Sequence, residues 1–250
     1  MINNFFNKSI GNIYSKPSSK SEISSQILYG EKFKILSKNK DWIKIKTSFD
    51  NYIGYIKNSK FLIEHKPTFK VFLPRSVILK KIDNRLIKTK TYLFFSSTVS
   101  NLENEQGYIR FDKNMWIKRN NLKDIDYKEK NYKKIIKSFL NAKYLWGGRS
   151  INGIDCSALI QIFFKFNRTF FPRDTKDQIK YCKKKFSKNF VDGDIIFWKG
   201  HVGLCLNNKK FIHAYGPKKK VLIMNIKKTI NLIAKTAGLE VKKVSNIENY

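Results

Sequence analysis

Tyr144–Phe166, YLWGGRSINGIDCSALIQIFFKF, sets one cysteine between a glycine-bearing loop and a run of apolar residues. Ala158, Leu159, Ile160, Ile162, Phe163, Phe164 and Phe166 are apolar almost all round the helix they predict, so that helix lies inside a domain and not on its surface. Cys156 falls in its first turn. There the unpaired backbone N–H groups and the positive end of the helix dipole favour a thiolate, the reactive form of the side chain. Gly147, Gly148 and Gly153 suit a loop that bends sharply and lets another segment come close. A lone buried cysteine is ordinarily a small core residue, and only a partner base elsewhere in the chain overturns that reading.

Downstream, Asp194–Trp198, His201–Leu206, Phe211–Tyr215 and Val221–Ile226 read as strands with turns at Lys199-Gly200, Asn207–Lys210 and Gly216-Pro217. Connections this short give antiparallel hairpins. A buried helix carrying the cysteine and a later sheet carrying histidines make an α+β layered domain. Tyr144-x-Trp146-Gly147-Gly148 followed by Asp155-Cys156-Ser157 resembles the active-site signature of the NlpC-type cell-wall cysteine peptidases, a papain-like group. Gly193-Asp194-Ile195-Ile196-Phe197 leading to His201-Val202-Gly203, and Phe211-Ile212-His213-Ala214, resemble two further segments of that family. The likeness covers about the C-terminal half and departs at Ala158, where the family more often has glycine.

Neutral pH ionises a thiol only in part, so a cysteine nucleophile needs a lowered pKa or an adjacent base. His201 opens a strand after a turn, where a ring is exposed, and is the candidate base. His213 is the candidate third member, hydrogen-bonded to the far nitrogen of His201 so that the near one faces Cys156. A two-residue turn at Asn208-Lys209 would pair Leu204 with His213 and put the two histidines on opposite faces. The triad therefore requires an odd-length loop or a β-bulge. Tyr144 is read either as a hydroxyl that helps the Cys156 N–H hold an oxyanion or as packing against Trp146. Asp155 is read either as a carboxylate that pairs with a ligand ammonium or as a helix N-cap.

Ahead of this half, Gln26–Tyr29, Phe33–Leu36, Trp42–Lys46 and Tyr52–Ile56 are short β-like runs separated by polar or glycine-bearing turns, which predicts a small all-β barrel over residues 1–65. Gln26-x-Leu28-Tyr29-Gly30-Glu31 and Tyr52-x-Gly54-Tyr55 resemble bacterial SH3-like domains found ahead of this peptidase type. His65-Lys66-Pro67 breaks the pattern. Over residues 66–124, Lys70–Leu73, Val77–Lys80, Thr91–Phe95, Tyr108–Phe111 and Met115–Lys118 predict a second barrel, with Trp-Ile-Lys recurring at Trp42 and Trp116. The catalytic domain is expected over residues 125–250. It begins with an amphipathic helix at Tyr132–Ala142 and continues past the Cys156 helix through Phe171-Pro172-Arg173-Asp174-Thr175, a loop into a short helix. It ends in a tail, 227–250, read as a helix and a polar end.

The resemblance implies hydrolysis of peptidoglycan-derived peptides between γ-D-glutamate and a diamino acid. It also implies a free N-terminal L-alanine amine read by Glu31, Tyr52, Asp155 and Ser157, with no metal and no cofactor. Two other readings stand beside it: a wall-binding or polyanion-binding module without turnover, and a thioester acyltransferase. A formal net charge of +32, from 51 Lys and Arg against 19 Asp and Glu, ordinarily suggests a nucleic acid or an anionic surface. The basic residues are overwhelmingly Lys and spread along the whole chain with no nucleic-acid motif, so no nucleic-acid partner is expected. Cys156, Cys182 and Cys205 are odd in number and widely spaced, which argues against a disulfide framework and a zinc site. The stretch MINNFFNKSIGNIYSKP lacks the pattern of a signal peptide and no later run approaches a membrane span, so a cytoplasmic location is expected.

Overall fold

Trp42–Thr47 alternates half-buried and buried residues, with Ile43, Ile45 and Thr47 inward and Lys44 and Lys46 outward, as a strand with one face on a core must. In the computed structural model, which describes residues 4–186 and 189–248, this strand lies in a six-stranded antiparallel sheet. The spatial order is Asn4–Phe5, Lys32–Lys38, Trp42–Thr47, Ile53–Lys57, Ile10–Tyr14, Ile23–Leu28. Its core is Phe6, Ile13, Ile27, Phe33, Ile43, Ile45 and Ile56. A second core, around Val71, Leu93, Ile109, Phe111, Ile117 and Leu122, takes in Tyr29 from the first sheet's sequence, and the Tyr29 hydroxyl donates to Asp112 at 3.3 Å. Here the separate short runs expected at 77–80 and 91–95 are parts of one long hairpin, Arg75–Ile82 with Arg85–Phe94. Asp83 and Asn84 both have positive φ, 46° and 58°, as a two-residue hairpin turn of the I′ type demands. Of the described residues, those up to 129 with 166–168 form one compact unit, and 130–165 with those from 169 onward form the other.

Among the described residues, the α-helices of the second unit are α1 (Tyr132–Lys137), α2 (Cys156–Phe166), α3 (Thr175–Tyr181) and α4 (Ile226–Ala237). Its five-stranded sheet is built from β1 (Asp194–Trp198), β2 (His201–Cys205), β3 (Lys210–Tyr215), β4 (Lys220–Asn225) and β5 (Lys243–Asn246), in the antiparallel order β4-β3-β2-β1-β5. The expected papain-like α+β arrangement, a buried helix with an antiparallel sheet, is present. In α2, Ala158, Leu159, Ile160, Ile162 and Phe164 are buried, and each fully buried Leu, Ile or Phe contributes about 1.5–3 kcal/mol. Phe164 stacks on Phe171 with ring centroids 4.0 Å apart.

Two expectations need correction. α1 stops at Lys137 and not near Ala142: the next N–H groups bond three residues back, Ser138 to Ile135, Phe139 to Ile136 and Leu140 to Lys137, and Asn141 then turns into the left-handed region (φ 65°) and gives its N–H to the Val221 carbonyl of β4. The tail is more than a helix and a polar end, since β5 pairs along β1 from Asp194↔Asn246 to Phe197↔Lys243. Its sequence, KVSN, presents no alternating apolar face, and only Ser245 is buried. Among the described residues, no helix is long and apolar enough to cross a membrane.

Candidate active site

Local sequence fixes where Cys156 sits. Gly147 has φ 73°, and a Cβ on Gly148 would collide with the Gly153 carbonyl, so the loop before α2 folds onto itself only because these positions are bare. Short pairing of Arg149–Ser150 with Gly153–Ile154 closes it. Asp155 then caps α2: its Oδ1 accepts from the Ala158 N–H at 2.8 Å, which leaves Cys156 as the first helical residue, 3% exposed.

Asp155 does more than cap. Its Oδ2 accepts from the Gly147 N–H at 3.0 Å, and the Arg173 guanidinium binds both oxygens, at 3.1 and 2.6 Å, while also donating to Ser157 Oγ at 2.9 Å. Ser157 Oγ donates in turn to Asp155 Oδ1 at 3.1 Å, and Gln178 Nε2 donates to the Ser157 and Pro172 carbonyls. The ammonium-binding reading of Asp155 and Ser157 therefore meets a network whose acceptors are already taken by the chain's own donors. The N-cap reading is the one this geometry supports.

This network missed in the sequence is centred on Arg173. The signal was present: an arginine in a chain whose basic residues are overwhelmingly lysine marks a place where a planar fork is needed to grip a carboxylate. Asp174 takes the N-cap position of α3 without a side-chain capping bond, and burial raises its carboxyl pKa.

The Cys156 thiol lies 4.0 Å from the carbonyl oxygen of Gly200, the residue before His201. Burial, then the neighbouring Asp155 charge, push its pKa up to about 11, against hydrogen bonds from the Val202 backbone and the Thr175 side chain. The expectation of a thiolate set up by the helix N-terminus is thus corrected: the site rests as a neutral thiol, because the capping carboxylate and the dry surroundings outweigh the dipole. Tyr144, whose ring lies over Gly216, has its pKa raised by burial and by the nearby Cys156 and Asp155. Its hydroxyl consequently stays a proton donor. Trp146, the alternative packing partner, is 54% exposed.

β2 and β3 bring the histidines together. Leu204 pairs with Ile212 and Cys205 with Phe211, so the connection is the three-residue loop 207–209. The two-residue turn considered from the sequence is replaced by the odd-length loop that the triad needs. His201 and His213 share a face, with His201 Nε2 2.9 Å from His213 Nδ1. Gly203 makes room for this: a Cβ there would run into the Phe211 ring and come within 2.8 Å of His213 Cβ. Burial lowers His201 to about 4 and His213 to about 3, the latter helped by repulsion from His201, so both rings are neutral near pH 7. Tyr215 stacks on His213 with centroids 4.7 Å apart.

A neutral thiol beside a strand that carries a neutral, oriented imidazole suits proton transfer coupled to nucleophilic attack. Glu31 and Tyr52 belong to the first unit, where Glu31 is buried and the Tyr52 hydroxyl donates to the Ser24 carbonyl at 3.1 Å.

Residues 141–235 match the model of the NlpC/P60 family, and residues 13–61 match that of the bacterial dipeptidyl-peptidase SH3 domain. The chain is 26% identical over 233 residues to the gamma-D-glutamyl-L-lysine dipeptidyl-peptidase of Bacillus subtilis, covering 83% of this chain and 77% of that protein. It is also 26% identical over 231 residues to dipeptidyl-peptidase 6 of Lysinibacillus sphaericus, covering 82% and 84%. An NlpC/P60 family protein from Bacillus cereus has the same fold, with a TM-score of 0.82 at 16% identity over 98% of this chain and 99% of that one.

Proposed function

We propose, from the match of residues 141–235 to the NlpC/P60 family and of residues 13–61 to the bacterial dipeptidyl-peptidase SH3 domain, that this chain is a cysteine peptidase of cell-wall peptides that cuts after γ-D-glutamate. The reading rests above all on the 2.9 Å contact between His201 Nε2 and His213 Nδ1 on the strands beside Cys156. With Nε2 so engaged, Nδ1 is the nitrogen left to serve the thiol.

In the first half-reaction Nδ1 takes the thiol proton as sulfur attacks the γ-carboxamide carbonyl. The oxyanion is held by the Cys156 N–H, one of the first-turn amides without an intrahelical acceptor, and by the Tyr144 hydroxyl. Nδ1–H then protonates the leaving amine of the diamino acid. Water, deprotonated by the same nitrogen, hydrolyses the thioester and restores the thiol. The name of the Bacillus subtilis relative supports L-lysine as one acceptable diamino acid.

A requirement for a free N-terminal L-alanine amine is the finer part of the reading. Since the Asp155 oxygens are spent on Arg173, Ser157 and backbone N–H groups, we assign the pairing with that amine to Asp174, which is half-buried, makes no side-chain capping bond and precedes Thr175, whose side chain hydrogen-bonds Cys156. The reduced protein would be incubated with L-Ala-γ-D-Glu-L-Lys, free and N-acetylated, with products followed by mass spectrometry. Release of L-Ala-D-Glu from the free peptide alone, with KM raised about tenfold in Asp174→Asn, supports both parts. Equal cleavage of the acetylated peptide discards the amine site and keeps the peptidase; cleavage of neither discards the bond assignment.

A further inference from the structure

The histidine pair does not end at His213. On its far side, Nε2 of His213 lies 3.4 Å from the thioether sulfur of Met224 on β4. A thioether has no proton to give and is a weak acceptor. The proton of this contact therefore belongs to the histidine, and His213 carries it on Nε2. That leaves His213 Nδ1 as an acceptor, so the proton between the two rings comes from His201 Nε2. His201, already neutral, then has an unprotonated Nδ1.

We infer that Met224 is a positioning residue that fixes the tautomers of both histidines, so that His201 presents a bare Nδ1 as base. The inference rests on the proposed role of His201. Met224 is half-buried and stands opposite Phe211, diagonal to His213 and two residues along β4 from His213's own partner, Leu222. Among the described residues, the titratable groups in contact with His213 are His201 and Tyr215, and Phe211, Gly203, Leu222 and Met224, which carry no charge, also lie against it.

Without an acceptor at this sulfur, the alternative pair of tautomers gains population. In it, His213 Nδ1–H donates to His201 Nε2, which puts the single proton of the neutral His201 ring on Nδ1, where it blocks uptake of the thiol proton. A merely space-filling methionine would have no such effect.

The chain has three histidines, so carbon-13 labelling of the imidazoles gives three resolvable ring systems, assigned with His65→Asn and His213→Asn. In the unmodified protein the expected result is Nε2–H for both His201 and His213. Met224→Leu, which keeps the volume but not the acceptor, is expected to move the His213 signals toward the Nδ1–H form and to lower kcat roughly three- to tenfold at unchanged KM. Met224→Gln, whose side-chain carbonyl can accept from Nε2–H, is expected to restore both. An Nδ1–H tautomer at His213 in the unmodified protein would overturn the inference, as would unchanged ring signals and kcat in Met224→Leu. The ring signals are read without substrate, so a wrong substrate assignment leaves this test intact.

Discussion

His65 in the first unit and His201 in the second are both pushed by burial from 6.5 to about 4, yet they do opposite things with their nitrogens. His65 lies near the rings of Phe5 and Tyr29 and engages both nitrogens, Nε2 with Thr98 Oγ1 at 3.1 Å and Nδ1 with Ser100 Oγ at 3.2 Å. It is a fastener within its own unit. His201 engages Nε2 alone, and its Nδ1 has no hydrogen-bond partner among the described residues. A depressed pKa therefore reports burial in both places, and only the unspent nitrogen near a thiol distinguishes chemistry from structure.

That contrast breaks most decisively at the two histidines themselves. Cys156→Ala and His201→Ala are expected to lower kcat by about 10⁴-fold or more, whereas His65→Asn should keep kcat within about twofold and cost about 1–3 kcal/mol in urea unfolding. A large loss of kcat at unchanged stability in His65→Asn would erase the distinction. Arg173→Met leaves the Asp155 carboxylate buried without its ion partner and should cost about 3–5 kcal/mol, part of which Asp155→Asn recovers in the double variant. Gly203→Ala sharpens the comparison, because it pushes on His213 and leaves His65 alone: kcat is expected to fall about 10- to 100-fold with a smaller change in unfolding midpoint.

The smallest effect is set by pH. The base form of His201 is the active one, so its lowered pKa should hold kcat/KM on the acid side well below 6.5, with the fall centred near 4. Stability has the same sign. Each of the three histidines is neutral in the fold and takes up a proton on unfolding below 6.5, so its contribution is complete above that pH and is lost as pH falls toward 4 and 3. His65→Asn should flatten the stability profile and leave the activity profile in place.

Much of this was legible in the chain. The apolar run after Cys156 fixed a buried helix, and the short turns among residues 194–226 fixed hairpins, because period and turn chemistry are local properties. The opposed-face problem for His201 and His213 was legible too, along with its solution by an odd loop. Strand β5 was not, since the β1 edge supplies its pairing and its own residues show no pattern. Arg173 was marked as an arginine among lysines, but its partner Asp155 was not legible, and neither was the Met224 contact, because each joins separate elements through side-chain geometry. The charge of the thiol was misjudged for the same reason. The helix N-terminus is visible in a sequence, whereas burial and the capping carboxylate that oppose it are not.

Turnover by this mechanism requires Cys156 to form a thioester with the γ-glutamyl carbonyl. Acid quenching of the protein within its first turnovers on L-Ala-γ-D-Glu-L-Lys, followed by digestion and mass spectrometry, reads this directly. An L-Ala-D-Glu acyl group on the peptide containing Cys156, absent in Cys156→Ala and lost with time in the unmodified protein, is the predicted result. Cleavage that persists in Cys156→Ala, or turnover with the acyl group carried on Cys182 or Cys205, would contradict it.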